Sequence, residues 1–342
     1  MTKLVFTACC FLLLLLLNGA HHVEARRHRE RRKDYMLLVF GDSFADAGNR
    51  LMRSAKSRAS RGWYYPYGSS DSAHRNRATG RLSDGLVQSD FLARMLGNDD
   101  ESPPPYSPSE VPDGSGVNFA LPFSGVLNGP REEMALGTQI EQFTRLVNRR
   151  DIEDVDLDDS VALVSVSNGH DYSHVSDTTS SEQMNAYIRD VTDGIVDAVK
   201  RLQDLGVSKV LVNSLPPLGC TPWRSRLSSY ARCDSSGNTI ASTHNALLAH
   251  KLSELEDVLL LDLYTTFDSV AQSKSGSTPC CDASDPNGYC GQEDGSGRAQ
   301  YSVCANPDTY FYWDYTHPTQ AGWEAVMDQL RGPIQDFLAI SS

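Results

Sequence analysis

The 342-residue chain has no Asn-x-Ser/Thr sequon, no Cys-x-x-Cys pair, no internal repeat and only one long apolar run. The first absence removes N-linked glycosylation as an expectation. The second argues against a four-thiolate zinc site. The third excludes a solenoid, and the fourth a protein with several membrane spans. Basic residues are also in short supply, with 31 Lys and Arg against 44 Asp and Glu, a net charge of −13. Binding along a phosphate backbone needs a basic footprint, so nucleic acid is excluded as the main partner. What remains is ordinary globular composition, 40% hydrophobic and 22% charged, in a chain long enough to bury a sizeable core.

The charge is unevenly placed. Arg26 to Lys33 holds six basic residues and one acid, which leaves 24 basic and 42 acidic residues from Asp34 onward. An acidic body of that kind weakly repels polyanions and favours neutral substrates. The apolar run, Leu4 to Leu17 behind Lys3, is short of the ~20 residues of a membrane span and is followed by small residues at Ala20 and Ala25. It reads as a secretory signal peptide over residues 1–25, the alternative being a retained signal anchor. Residues 26–34 then form a basic arm, and residues 35–342 a single domain. The expected location is outside the cell, with no stable membrane span.

Cysteine usage fits an oxidising compartment. Cys220, Cys233, Cys280, Cys281, Cys290 and Cys304 remain after the leader, an even number that predicts three disulfides. Cys220 with Cys233 closes a short local loop and is the first pairing expected. The other four crowd a Gly- and Asp-rich segment and would staple it, with a Cys₄ zinc site as the alternative.

Apolar runs at Met36 to Phe40, Val117 to Ala120, Val161 to Val166, Lys209 to Val212 and Val258 to Leu263 are continuous rather than alternating. That suits strands buried on both faces. Helical spacing appears in Leu86, Phe91, Leu92 and Leu96, ending at Gly97, and again in Ile188, Val191, Ile195, Val199 and Leu202, ending near Gly206. Trp323, Val326, Met327 and Leu330 start a last helix, with a kink or break expected at Pro333. The alternation predicts a parallel sheet with helices on both faces. Two long loops, Ser54 to Thr79 and Asn98 to Gly116, interrupt it.

In such sheets ligands bind beyond the carboxyl ends of the strands. Ser43 follows the first run in Phe40-Gly41-Asp42-Ser43-Phe44-Ala45-Asp46, where a serine is either a nucleophile facing a crevice or the N-cap of the next helix. Near the other end stands Trp313-Asp314-Tyr315-Thr316-His317-Pro318. Asp and His three apart can meet within one turn, so a carboxylate can hold Nδ1–H and leave Nε2 to take a serine proton. The alternative is a turn with a surface histidine.

Taken together, five stretches resemble the plant GDSL esterase/lipase family of SGNH hydrolases. They are Val39 to Asn49, Gly80 to Gly85, Gly116 to Ala120, Leu215 to Cys220 and Asp314 to Pro318, in the family's order. The resemblance implies a three-layer α/β/α, flavodoxin-like fold. It also implies a serine hydrolase of carboxylic esters that uses no metal or cofactor. Carried over, Ser43 is nucleophile and first oxyanion donor, His317 the base and Asp314 its orienter. The other two oxyanion positions depart from the family pattern. Where the family has a Gly-Gly pair after Asn-Phe-Ala, this chain reads Leu121-Pro122-Phe123-Ser124, so Phe123 replaces the donor glycine. Positive φ at that residue would be strained. In Ser165 to Tyr172, His170 stands at the family's donor asparagine, or Asn168 supplies the amide in a shifted alignment.

Two functions follow. One is a secreted esterase acting on a small-molecule, lipid or acylated-polysaccharide ester. The other is a catalytically weakened protein that uses the same crevice to bind glycan or lipid as a scaffold. Trp63, Tyr64, Tyr65 and Tyr67 either stack on such a ligand or cover the core.

Overall fold

The computed structural model describes residues 35–50, 56–98, 101–127, 135–167, 169–173 and 179–340. The expected signal peptide, the basic arm and Asn168 lie outside the described residues.

Five strands form one parallel sheet: β1 (Met36–Gly41), β2 (Gly116–Asn118), β3 (Ser160–Ser165), β4 (Lys209–Asn213) and β5 (Val258–Leu261), in the order β2-β1-β3-β4-β5. The register sets Val39 beside Leu163 and beside Asn118, and Leu163 beside Leu211. Alternate residues of β1 face opposite ways. Met36, Leu38 and Phe40 join one core, shared with α2 (Leu136–Arg149), α3 (Ser181–Asp204) and α4 (Ser235–Leu252). Leu37 and Val39 join the other, shared with α1 (Gln88–Leu96), α5 (Leu263–Ser273) and α6 (Gln320–Leu338). Both faces of the sheet are therefore covered, which is why the strands read as continuous apolar runs. This is the three-layer α/β/α arrangement of SGNH hydrolases.

Several helix limits follow from identifiable residues. Gly97 ends α1 in the left-handed conformation at φ 82°. Thr319 opens α6 by accepting the Gly322 N–H. Of the kink or break expected at Pro333, the break does not occur, and α6 continues through it. A proline inside a helix costs ~3 kcal/mol. Ile334 and Leu338 beyond it are buried, and each such burial contributes ~1.5–3 kcal/mol, enough to hold the last turns in place. The run from Val258 also divides, with β5 ending at Leu261 and Leu263 opening α5 behind the cap Asp262.

The cysteines form Cys220–Cys233, Cys280–Cys304 and Cys281–Cys290. The last two bridges pin a small antiparallel hairpin, β6 (Cys281–Ala283) with β7 (Tyr301–Val303). All six thiols are used, which removes the ligands of a Cys₄ zinc site. Among the described residues no helix is long and apolar enough to cross a membrane.

Candidate active site

All five strands end at one edge. The sheet order changes direction between β1 and β3, and in parallel sheets the crevice opens at that point. Ser43 follows β1 there. Gly41 carries φ +128°, and a Cβ on it would lie 2.0 Å from the Ser165 carbonyl oxygen, so only glycine lets β1 turn this close to β3. Asp42 ties the two ends together. Its N–H donates to Ser165 O (2.7 Å), and its carboxylate accepts the N–H groups of Phe44 (2.9 Å) and Ser167 (2.6 Å).

The turn bearing the histidine is fixed locally. Asp314 Oδ1 accepts the N–H groups of Thr316 and His317, each at 2.9 Å, and Trp313 N–H donates to the His317 carbonyl (2.7 Å). The Gly80 to Gly85 stretch supports it from behind. Ser83 donates to Pro318 O (3.2 Å), and Asp84 accepts Gln320 N–H (2.7 Å).

These two segments meet although 274 positions separate them. Ser43 Oγ lies 2.8 Å from His317 Nε2, and His317 Nδ1 lies 2.7 Å from Asp314 Oδ1. All three side chains are buried. Asp314 Oδ2 faces Tyr67 and Arg61, which donate at 2.8 and 3.3 Å. Burial alone would raise the Asp314 carboxyl. The neighbouring His317 and Arg61 and the Thr316 N–H outweigh it and hold the group well below the usual carboxylate range. An ionised Asp314 can accept from Nδ1 and direct Nε2 toward the serine.

Sequence reasoning did not find Arg61 as a partner of Asp314 and left Tyr67 open between ligand and core. Tyr67 is core, and Tyr65 of the same loop is exposed. Gln139 of α2 was also missed. It accepts Gly41 N–H (2.7 Å) and donates to Gly41 O and Ser124 Oγ (both 2.9 Å), joining the β1 turn to the segment that carries Phe123. A third missed feature is the polar cluster under the crevice. Asn213 Nδ2 donates to Gln88 Oε1 (2.7 Å) and Ser165 Oγ (2.9 Å), and all are buried. Such contacts join residues 48 to 125 positions apart and leave no local pattern.

Phe123 takes φ +67°, a left-handed conformation that favours glycine. For a non-glycine residue that costs ~1–2 kcal/mol. Two contacts offset it. The Arg61 guanidinium lies 5.8 Å from the ring centroid, and the His170 ring stands edge-on at 6.0 Å. No acceptor among the described residues takes the Phe123 N–H. His170 opens a short 3₁₀ turn, His170–Tyr172, behind the left-handed Gly169. Its neighbour Asp171 accepts the N–H groups of Val126 and Leu127 (3.0 Å), so this turn is bound to the loop of Phe123. Phe123 and His170 thus face each other.

Residues 37–330 match the model of the family described as GDSL-like lipase/acylhydrolase. A GDSL esterase/lipase of Arabidopsis thaliana is 37% identical over 317 residues, covering 86% of this chain and 85% of its own length. A second from the same plant is 33% identical over 319 residues, 86% of each chain. A third Arabidopsis protein, named inactive GDSL esterase/lipase-like protein 25, is 29% identical over 299 residues, 83% of this chain and 68% of its own length. With these matches spanning nearly the whole sheet and its flanking helices, the chain belongs to the GDSL lipase/acylhydrolase family of hydrolases.

Proposed function

We propose that this protein is a secreted carboxylic ester hydrolase in which Ser43, His317 and Asp314 act as a triad. The observation that carries the reading is the unbroken chain of contacts from Ser43 Oγ to His317 Nε2 (2.8 Å) and from Nδ1 to Asp314 (2.7 Å). Ser43 Oγ adds to the ester carbonyl carbon while His317 Nε2 takes its proton. The alcohol leaves with that proton, and the acyl group stays on Ser43. Water then attacks the acyl-enzyme, giving its proton to His317, and the acid departs as Ser43 recovers its hydrogen. The oxyanion meets the N–H groups of Ser43 and Phe123, with His170 beside them as a side-chain donor. No metal or cofactor enters this scheme. Residues 1–25 direct export, residues 26–34 form an arm, and residues 35–342 form the catalytic domain. The substrates are small-molecule, lipid or acylated-polysaccharide esters.

A second reading is favoured by one specific observation. The rings of Phe123 and His170, the two positions read as departing from the family pattern, meet edge-on at 6.0 Å. Loss of one donor costs on the order of 10²–10³ in turnover. A chain with both weakened would keep the crevice as a glycan- or lipid-binding site.

Fluorophosphonate labelling separates the two. A working triad gives a covalent adduct on the native protein that Ser43→Ala abolishes. An unlabelled but correctly folded native protein rejects the hydrolase reading.

A further inference from the structure

The division of labour around Asp314 is complete. Oδ1 takes the Thr316 and His317 N–H groups and His317 Nδ1, while Oδ2 faces Tyr67 and Arg61. Arg61 is itself held on every side. Its Nε donates to Tyr67 Oη (2.8 Å), its Nη1 to the Arg58 carbonyl (2.5 Å), and its guanidinium faces the Phe123 ring. One buried cation therefore touches both the carboxylate behind the base and the aromatic at the oxyanion side.

A buried anion beside an imidazole favours the imidazolium. Proton abstraction from Ser43 needs the neutral ring. A lone aspartate would thus confine the reaction to higher pH, and a guanidinium on its far oxygen offsets part of that field. Resting on the triad proposed above, we infer that Arg61, held by Tyr67, is a positioning residue that keeps the site reactive in mildly acidic solution while bracing Phe123.

The charged and titratable groups around the pair come from several segments. Arg58, Arg61 and Tyr67 come from the first long loop, and the field of Arg58 also reaches Asp314. Ser43 and the Phe44 ring, 6.1 Å from His317, come from the β1 turn. Asp46 and Asp84 are carboxyls on adjoining segments, both raised by burial. Burial pushes the Tyr67 hydroxyl well above its ordinary range, so it stays a neutral donor, and Arg61 stays charged. The discriminating comparison is therefore between Arg61 variants with both carboxyls in place.

The test is the second-order rate of fluorophosphonate labelling against pH, on the full chain, for wild type, Arg61→Met, Arg61→Lys and Tyr67→Phe. The acidic limb is expected to move to higher pH in Arg61→Met and to return toward wild type in Arg61→Lys. In Tyr67→Phe the plateau rate should fall several-fold with the limb unmoved. A folded Arg61→Met with an unmoved limb overturns the inference. If Arg61→Met does not fold, Arg61→Lys decides, since a limb displaced despite the retained charge overturns it equally. Absence of labelling in wild type is a separate failure, which removes the triad reading first and this inference with it.

Discussion

The carboxylate side of the crevice and its oxyanion side differ in how their polar groups are held. On the first, Ser43, Asp314 and His317 are 1, 4 and 3% exposed, and Asp314 meets donors at both oxygens. On the second, Phe123 and His170 are only half-buried and meet through their rings. The first side is fixed by backbone N–H groups and a buried cation, which tolerate little change. The second carries two aromatic side chains that support each other. Because these chains touch, the two departures constitute one local change.

That view is broken or sharpened first by Phe123→Gly and His170→Asn, singly and together. The largest effect is expected in the pair, a gain on the order of 10² in p-nitrophenyl acetate hydrolysis, exceeding the product of the single effects. Strict multiplicativity would show that the two rings act independently. A lower rate in the pair would show that the aromatic arrangement already supplies working donors.

The contrast also governs what could be read from sequence. The five strand runs were legible because burial on both faces leaves them mostly apolar rather than alternating, and Gly97 marked the end of α1. Ser43, Asp314 and His317 were legible as short motifs, and the Asx turn at Asp314 is purely local. No break occurs at Pro333 because its penalty is local while the burial of Ile334 and Leu338 that outweighs it is tertiary. The helix α2 passed unnoticed although Leu136, Ile140, Phe143 and Leu146 follow helical spacing, and its Gln139 supports the β1 turn. Arg61 reaches Asp314 across 253 positions from a loop rich in Ser, Arg, Gly and Tyr. Nothing in that loop separates the one buried arginine that faces the site from its exposed neighbours.

Buried ionisable groups extend the comparison into stability. Asp46 belongs to the nucleophile's side. It accepts the Gly48 and Asn49 N–H groups through Oδ1, while Oδ2 has no partner among the described residues. Burial raises its carboxyl to about 6 from 3.8, against the opposing backbone hydrogen bonds and Arg81. The folded form therefore holds a proton that the unfolded chain has released. The stability contributed is fully present below about pH 4 and is lost as pH rises through 6, up to about 3 kcal/mol. Asp46→Asn does not titrate. Urea unfolding of both proteins should show the wild type losing stability relative to the variant between pH 4 and 7, and parallel curves would disprove an uncompensated carboxyl.

His244 gives the opposite sign beneath the oxyanion side. Its Nδ1 lies 2.7 Å from the Tyr172 hydroxyl, one residue beyond Asp171 in the turn that His170 opens. Burial first, and then Lys251, lower it to about 3 from 6.5. Here the unfolded chain binds the extra proton, so the contribution is present above about pH 6.5 and declines as pH falls toward 3. Between pH 7 and 5 the loss amounts to about 2 kcal/mol, smaller than that at Asp46 because acid reaches only part of the interval. His244→Gln keeps an acceptor for Tyr172 without titrating and should remove that slope. Hydrogen exchange at pH 5 should then locate the wild-type opening in the 169–173 turn and α4 while the β1 turn stays protected. Acid opening spread evenly over both sides would show that the two halves of the crevice share one stability, and the contrast between them would be confined to geometry.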